Sequence, residues 1–274
     1  MVLVAAALLA PTGSYCAALD EAARARLLAA YPQHLARVED GTLIWRDGTR
    51  MPLDDGHGSK PFAQWLAAPD IADMFAIAYP AGADIVPPAK DADPGRARNT
   101  AFFDKVYGDC RKGEVATNLT DVAWLPKRGG QKLPFSRVNG AAAALAAVSR
   151  ELDELPASFD VFLIPSAGTY NCRVIAGTSR VSAHGHGIAI DITLARSDYW
   201  RNAAARSDGA IAYRNTIPVD IVRIFERHGF IWGGRWYHYD TMHFEYRPEL
   251  VDVGGGPDLA KEPRAPPSGS GGPP

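Results

Sequence analysis

Two stretches hold the side-chain types that bind metals and move protons. They are SAHGHGIAIDI, Ser182 to Ile192, and DTMHFEY, Asp240 to Tyr246. In the first, strand alternation puts Ile188, Ile190 and Ile192 on one face and Gly187, Ala189 and Asp191 on the other. The isoleucines are expected in a core. Asp191 then faces the opposite side, between residues too small to crowd an approaching group. His184 precedes this strand across a glycine-containing turn that can fold its imidazole back toward Asp191. In the second stretch Met242 and Phe244 share one face, and His243 and Glu245 the other. Two imidazoles and one carboxylate on facing strands make three ligands of a mononuclear zinc site whose fourth position is left to water. Such an ion lowers the pKa of its water and polarises a carbonyl. A carboxylate is then needed to carry the proton to a leaving group, and Asp240 is the candidate. Glu245 is expected to orient a ligand imidazole.

The other reactive side chains read differently. His186 lies between two glycines and is expected as a loop residue, since three ligands already suffice. His228 falls at a helix end, where a cation is favoured. His238, in the aromatic run WYHYD, either reaches substrate or belongs to a solvent-edge strip. Cys110 and Cys172 pair if the chain is exported to an oxidising compartment, or stay two separate buried thiols. A cysteine nucleophile has little support, because neither cysteine opens a helix, and no G-x-S-x-G elbow is present.

These residues need elements to hold them. VNGAAAALAAVSRELDELP repeats Ala141, Leu145, Val148 and Leu152 at helical spacing, with Pro156 just beyond the end. NTIPVDIVRIFERHGF is a second helix, capped by Asn215 or Thr216 and stopped at Gly229. FDVFLIPS, a continuous apolar run, reads as a strand, as do GIAIDITL and TMHFEYR. Upstream, Leu19 to Leu35 is helical until Pro32, LIWRDGTRMPLDDG is a hairpin turning at Asp47–Gly48, and NTAFFDKVYGDC is a helix. Residues 79–98, rich in proline and alanine, read as a loop crossing the surface.

The expected fold is α+β: a small antiparallel sheet flanked by helices over residues 136–250, with an N-terminal extension or subdomain over 19–135. Residues 1–18, with the apolar run Val2–Ala10, read as a signal-peptide remnant or, failing that, a buried helix, and residues 251–274 as a disordered tail. No segment is long and apolar enough for a transmembrane helix. A formal net charge of −2 gives no electrostatic case for nucleic acid or an anionic membrane surface.

The pattern S-x-H-x-x-G-x-A-x-D (Ser182, His184, Gly187, Ala189, Asp191), followed by D-x-x-H-F-E (Asp240, His243, Phe244, Glu245), resembles the zinc D-alanyl-D-alanine carboxypeptidase family. This VanY-like group includes peptidoglycan L-alanyl-D-glutamate endopeptidases, and its fold is shared with the hedgehog signalling domain. The resemblance covers roughly Val138 to Leu250. It implies one Zn2+ held by His184, Asp191 and His243, with Asp240 as catalytic base. Aspartate at that last position resembles the endopeptidase branch. The resemblance also implies an arginine upstream of the first motif that contacts substrate or stabilises the oxyanion. That role falls to Arg173, with Arg180 as the second candidate and pairing to a structural carboxylate as the alternative for Arg173. The implied partner is a peptidoglycan stem peptide, met by an exported, monomeric enzyme. A zinc-bearing cell-wall binding module without catalysis is the alternative.

Overall fold

A computed structural model describes residues 14–15, 19–175, 178, 180–204 and 209–251. The run Val2–Ala10 and the tail from residue 252 onward lie outside the described residues. The first described elements are β1 (Ser14–Tyr15) and α1 (Glu21–Ala30), whose first turn is capped by Asp20 accepting from the Ala23 N–H at 2.7 Å. A three-stranded antiparallel sheet follows, β2 (Leu35–Glu39), β3 (Thr42–Trp45) and β4 (Arg50–Pro52), with the expected turn at Asp47–Gly48 between the last two. Next come β5 (Lys60–Pro61), which pairs with β1, then α2 (Phe62–Ala67) and α3 (Thr100–Tyr107).

The second half opens with the hairpin β6 (Leu119–Trp124) and β7 (Gln131–Ser136), against which α4 (Ala141–Leu152) packs. Then come α5 (Asp160–Leu163), β8 (Ala189–Asp191), α6 (Val219–Arg227), β9 (Phe230–Trp232) and β10 (His243–Tyr246). The last three strands form an antiparallel sheet in the order β8–β10–β9, so β10 is central. The architecture is α+β, as expected. Among the described residues no helix is long and apolar enough to cross a membrane.

Apolar faces put the sheet where it is. Ile188, Ile190 and Ile192 are fully buried, as alternation requires. Each contributes roughly 1.5–3 kcal/mol by leaving water. Phe244 of β10 stacks on Phe225 of α6 with ring centroids 3.8 Å apart, which clamps the central strand to that helix. The same hydrophobic cluster contains Leu27, Tyr31, Trp45, Phe102 and Phe103 from the N-terminal part.

Three local expectations are corrected. FDVFLIPS forms α5 instead of a strand, followed by a cis Ile164–Pro165 bond. Only Leu163 of this run is fully buried, while Val161 is 46% and Ile164 38% exposed. A short apolar run carries no period that separates helix from strand. Neither Asn215 nor Thr216 caps α6: Pro218 occupies that position, and Thr216 donates instead to the Arg196 carbonyl at 2.8 Å. Residues 79–98 do not merely cross the surface, because Asp93, Gly95, Ala97 and Arg98 are buried.

Candidate metal centre

Strand register builds the site. In the β8–β10 ladder His243 lies directly opposite Asp191, and Glu245 opposite Ala189. Directly paired residues point to the same face, so the His243 ring and the Asp191 carboxylate meet. His184 comes from the short 3-10 turn Ala183–His186 that precedes β8. Ser182 begins this turn, accepting from the His184 N–H at 3.4 Å. Gly187 ends it at φ +68°, a left-handed conformation that reverses the chain into β8. A Cβ on Gly187 would also sit 2.8 Å from the Leu119 side chain.

Three atoms converge. His184 Nε2 lies 3.1 Å from His243 Nδ1 and 3.2 Å from Asp191 Oδ1, and the latter two are 2.9 Å apart. The far nitrogen of each ring is already committed. His184 Nδ1–H donates to the Thr169 carbonyl, and His243 Nε2–H donates to Glu245 Oε1 at 2.9 Å. With both rings neutral, the facing nitrogens therefore present lone pairs to each other and to a carboxylate oxygen, three acceptors that a cation between them would satisfy. With zinc bonds of about 2.0–2.1 Å, tetrahedral geometry places ligand atoms about 3.3 Å apart, close to the edges found here. The residues fit a zinc ion with one open position, and each imidazole has the outer partner that fixes its tautomer.

Electrostatics agree. Burial alone would raise the Asp191 carboxyl, but hydrogen bonds and charge from His184 and His243 hold it far below the usual carboxylate range. Burial would lower His243, yet its bonds to Asp191 and Glu245 raise it to about 10, so a proton takes the cation's place when no metal is there. Burial likewise opposes ionisation of Glu245, and is outweighed by the charge of Arg98 and the bond from His243.

Asp240 stands in the approach to β10. Tyr199 bridges to it, and its N–H donates to the Gly233 carbonyl at 3.1 Å. Gly233 is required here, since a Cβ would come within 2.5 Å of the Asp240 carbonyl oxygen. Oδ1 of Asp240 is buried without a hydrogen-bond partner. Burial pushes this carboxyl up to about 6, with the charges of His243 and His184 opposing and that of Asp191 adding. It is thus a poorly solvated base that feels all three members of the triangle.

The two arginine candidates are placed apart in character. Arg173 is exposed, its carbonyl accepting from the Ser182 N–H at 3.0 Å. Arg180 is 8% exposed, with Nε and Nη1 buried and without a hydrogen-bond partner. Burial, with Arg98 and Arg96 nearby, lowers it to about 10.

The other histidines are held elsewhere. His186 is buried and its Nε2 meets Asp104 Oδ1 at 2.9 Å, and His228 pairs with Glu151 at 2.9 Å. His238 Nδ1–H donates to Asp93 at 2.9 Å, and its ring stacks on Phe62. Cys110 and Cys172 are joined in a disulfide, which anchors the segment carrying Thr169. A second acidic group, Asp54, Asp55 and Asp70, also comes close enough to hold an ion. There the buried Lys60 ammonium already lies 2.6 Å from Asp55 and 3.1 Å from Asp70.

Sequence reasoning missed Thr169 and Arg98. Arg98 Nη1 donates to Glu245 Oε1 at 2.5 Å from 147 residues away, and its only local trace is the preceding Gly95, which marks a close approach of backbone.

No curated protein and no solved structure matches the chain. Residues 176–246, the stretch that carries His184, Asp191, Asp240 and His243, match the family model described as D-alanyl-D-alanine carboxypeptidase.

Proposed function

We propose that this chain is a zinc-dependent peptidase that hydrolyses an amide bond in peptidoglycan stem peptides, as a D-Ala-D-Ala carboxypeptidase or an L-Ala-D-Glu-type endopeptidase. The observation that carries the reading is the triangle of His184 Nε2, Asp191 Oδ1 and His243 Nδ1, with edges of 2.9–3.2 Å, close to the spacing of ligands that share one zinc ion. When bound, zinc would lower the pKa of a water toward neutrality and polarise the scissile carbonyl.

The chain's own residues do the rest. Thr169 and Glu245 hold the two imidazoles in the tautomers that point a lone pair inward. Asp240 takes a proton from the attacking water as its oxygen bonds to the carbonyl carbon. It returns that proton to the nitrogen as the C–N bond breaks, so the carboxylate is regenerated. The poor solvation of Asp240 supports this role, because an unpartnered oxygen is ready to accept. The oxyanion needs a fixed positive charge. Arg173, exposed and tied through its backbone to Ser182, is the proposed source, and the buried Arg180 is the second candidate. The Cys110–Cys172 disulfide supports work in an oxidising compartment, outside the cytosol.

The test is digestion of purified peptidoglycan and of soluble stem peptides by the zinc-loaded protein, with and without chelator. New termini are identified by mass spectrometry. Released D-alanine marks the carboxypeptidase, and a new D-glutamate amino terminus the endopeptidase. Chelator should stop either product and added zinc restore it. Stoichiometric zinc binding with no new termini would leave a binding module instead.

A further inference from the structure

We infer that Arg98, which lies far upstream of both motifs, is a positioning residue for the metal centre: through Glu245 it fixes the ring of His243. The inference rests on the zinc-site reading above. Arg98 Nη1 at 2.5 Å and His243 Nε2 at 2.9 Å donate to the same oxygen, Oε1 of Glu245. Glu245 is 1% exposed, and its Oε2 has no hydrogen-bond partner. Another cation close to that carboxylate is Arg247, with Nη1 3.7 Å from Oε2. It is already engaged, donating to Glu249 from Nε at 2.5 Å and to the Gly95 carbonyl from Nη1 at 2.6 Å. A carboxylate this deep is kept in place only by a partner that also makes hydrogen bonds. Without Arg98, the Glu245 carboxylate loses the bond that fixes Oε1 and turns toward Arg247. That turn removes the fixed acceptor from His243 Nε2–H, and the ring is then free to swing Nδ1 out of the triangle.

Arg98 is itself held by the elements that carry the site. The Tyr237 N–H donates to the Ala92 carbonyl at 2.9 Å, the His238 N–H to Asp93 at 3.0 Å, and Trp236 Nε1–H to the Pro94 carbonyl at 2.8 Å. Gly95 has φ +77°, and a Cβ there would meet Leu250 at 2.6 Å and Ile231 at 2.7 Å. Residues 92–98 are therefore stitched along the chain between Ile231 and Leu250, which contains Asp240 and His243. The metal-binding apparatus extends beyond the matched stretch 176–246, and a segment upstream of both motifs completes it.

Zinc affinity of the full chain, measured by competition with a chromogenic chelator, tests this without reference to activity. Arg98→Met should bind zinc about 10–100-fold more weakly with its circular-dichroism spectrum unchanged. Arg98→Lys, which keeps a cationic donor, should stay within about threefold of wild type. In a Glu245→Gln background there is no carboxylate for Arg98 to hold, so Arg98→Met should cost less than about twofold more. Should Arg98→Met not fold, Arg98→Gln takes its place in the same cycle. Wild-type affinity in the folded single variant, or losses that simply multiply in the double variant, would overturn the inference and leave the peptidase reading intact. Failure of the wild-type chain to bind zinc would overturn both.

Discussion

At the scale of single residues, Asp240 carries the sharpest consequence. Its carboxyl is raised from 3.8 to about 6, chiefly by burial. Between those two values the folded, metal-free chain holds a proton that the unfolded chain has released. Stability therefore falls as pH rises through that window, and the loss is complete above about 6. Asp240→Asn removes this penalty. The metal-free variant should be more stable than wild type at pH 8, by on the order of 1–3 kcal/mol, with the advantage shrinking toward pH 4. Chemical denaturation at the two pH values reads it. The same substitution should reduce hydrolysis by about 10²–10⁴-fold while zinc still binds, which calorimetric titration with zinc checks. A residue that weakens the fold when ionised, yet is kept ionisable, fits a catalytic group better than a structural one.

At the scale of elements, the geometry depends on a reversal and a register. Gly187 turns the chain from His184 into β8 at φ +68° and leaves no room beside Leu119. Gly187→Ala should cost roughly 1–3 kcal/mol in urea unfolding and should weaken zinc binding, since it moves His184 relative to Asp191. Much of this was legible. Alternation in GIAIDI and MHFEY assigned Ile190 and Phe244 to the core and Asp191 and His243 to the other face, and β8 and β10 hold them so. The helices α4 and α6 followed from apolar spacing. FDVFLIPS did not, because a run of apolar residues has no period, and only the neighbours of Leu163 decide which atoms become buried.

At the scale of the whole molecule, a bridge and a strap add to the shared hydrophobic core that joins the halves. The Cys110–Cys172 disulfide ties the region after α3 to the segment from which Thr169 receives the His184 N–H. Replacing both cysteines by serine should lower stability by about 2–4 kcal/mol, measured in guanidinium, with a smaller fall in zinc affinity as Thr169 loosens. Spacing along the chain left the pairing of these cysteines open, and only their approach in space closes it. The same holds for residues 79–98, whose proline and alanine content looks like surface loop and whose Arg98 is buried beside Glu245. What the sequence determined by itself was periodic or set by a single turn: the faces of β8 and β10, the turn at Gly187, and the core sides of α4 and α6. What only the tertiary structure decided was who stands behind the candidate ligands. Contacts between residues as far apart as Arg98 and Glu245 leave no period in a sequence, because they are selected by the burial of charge and by the packing of elements that meet only after the chain has folded.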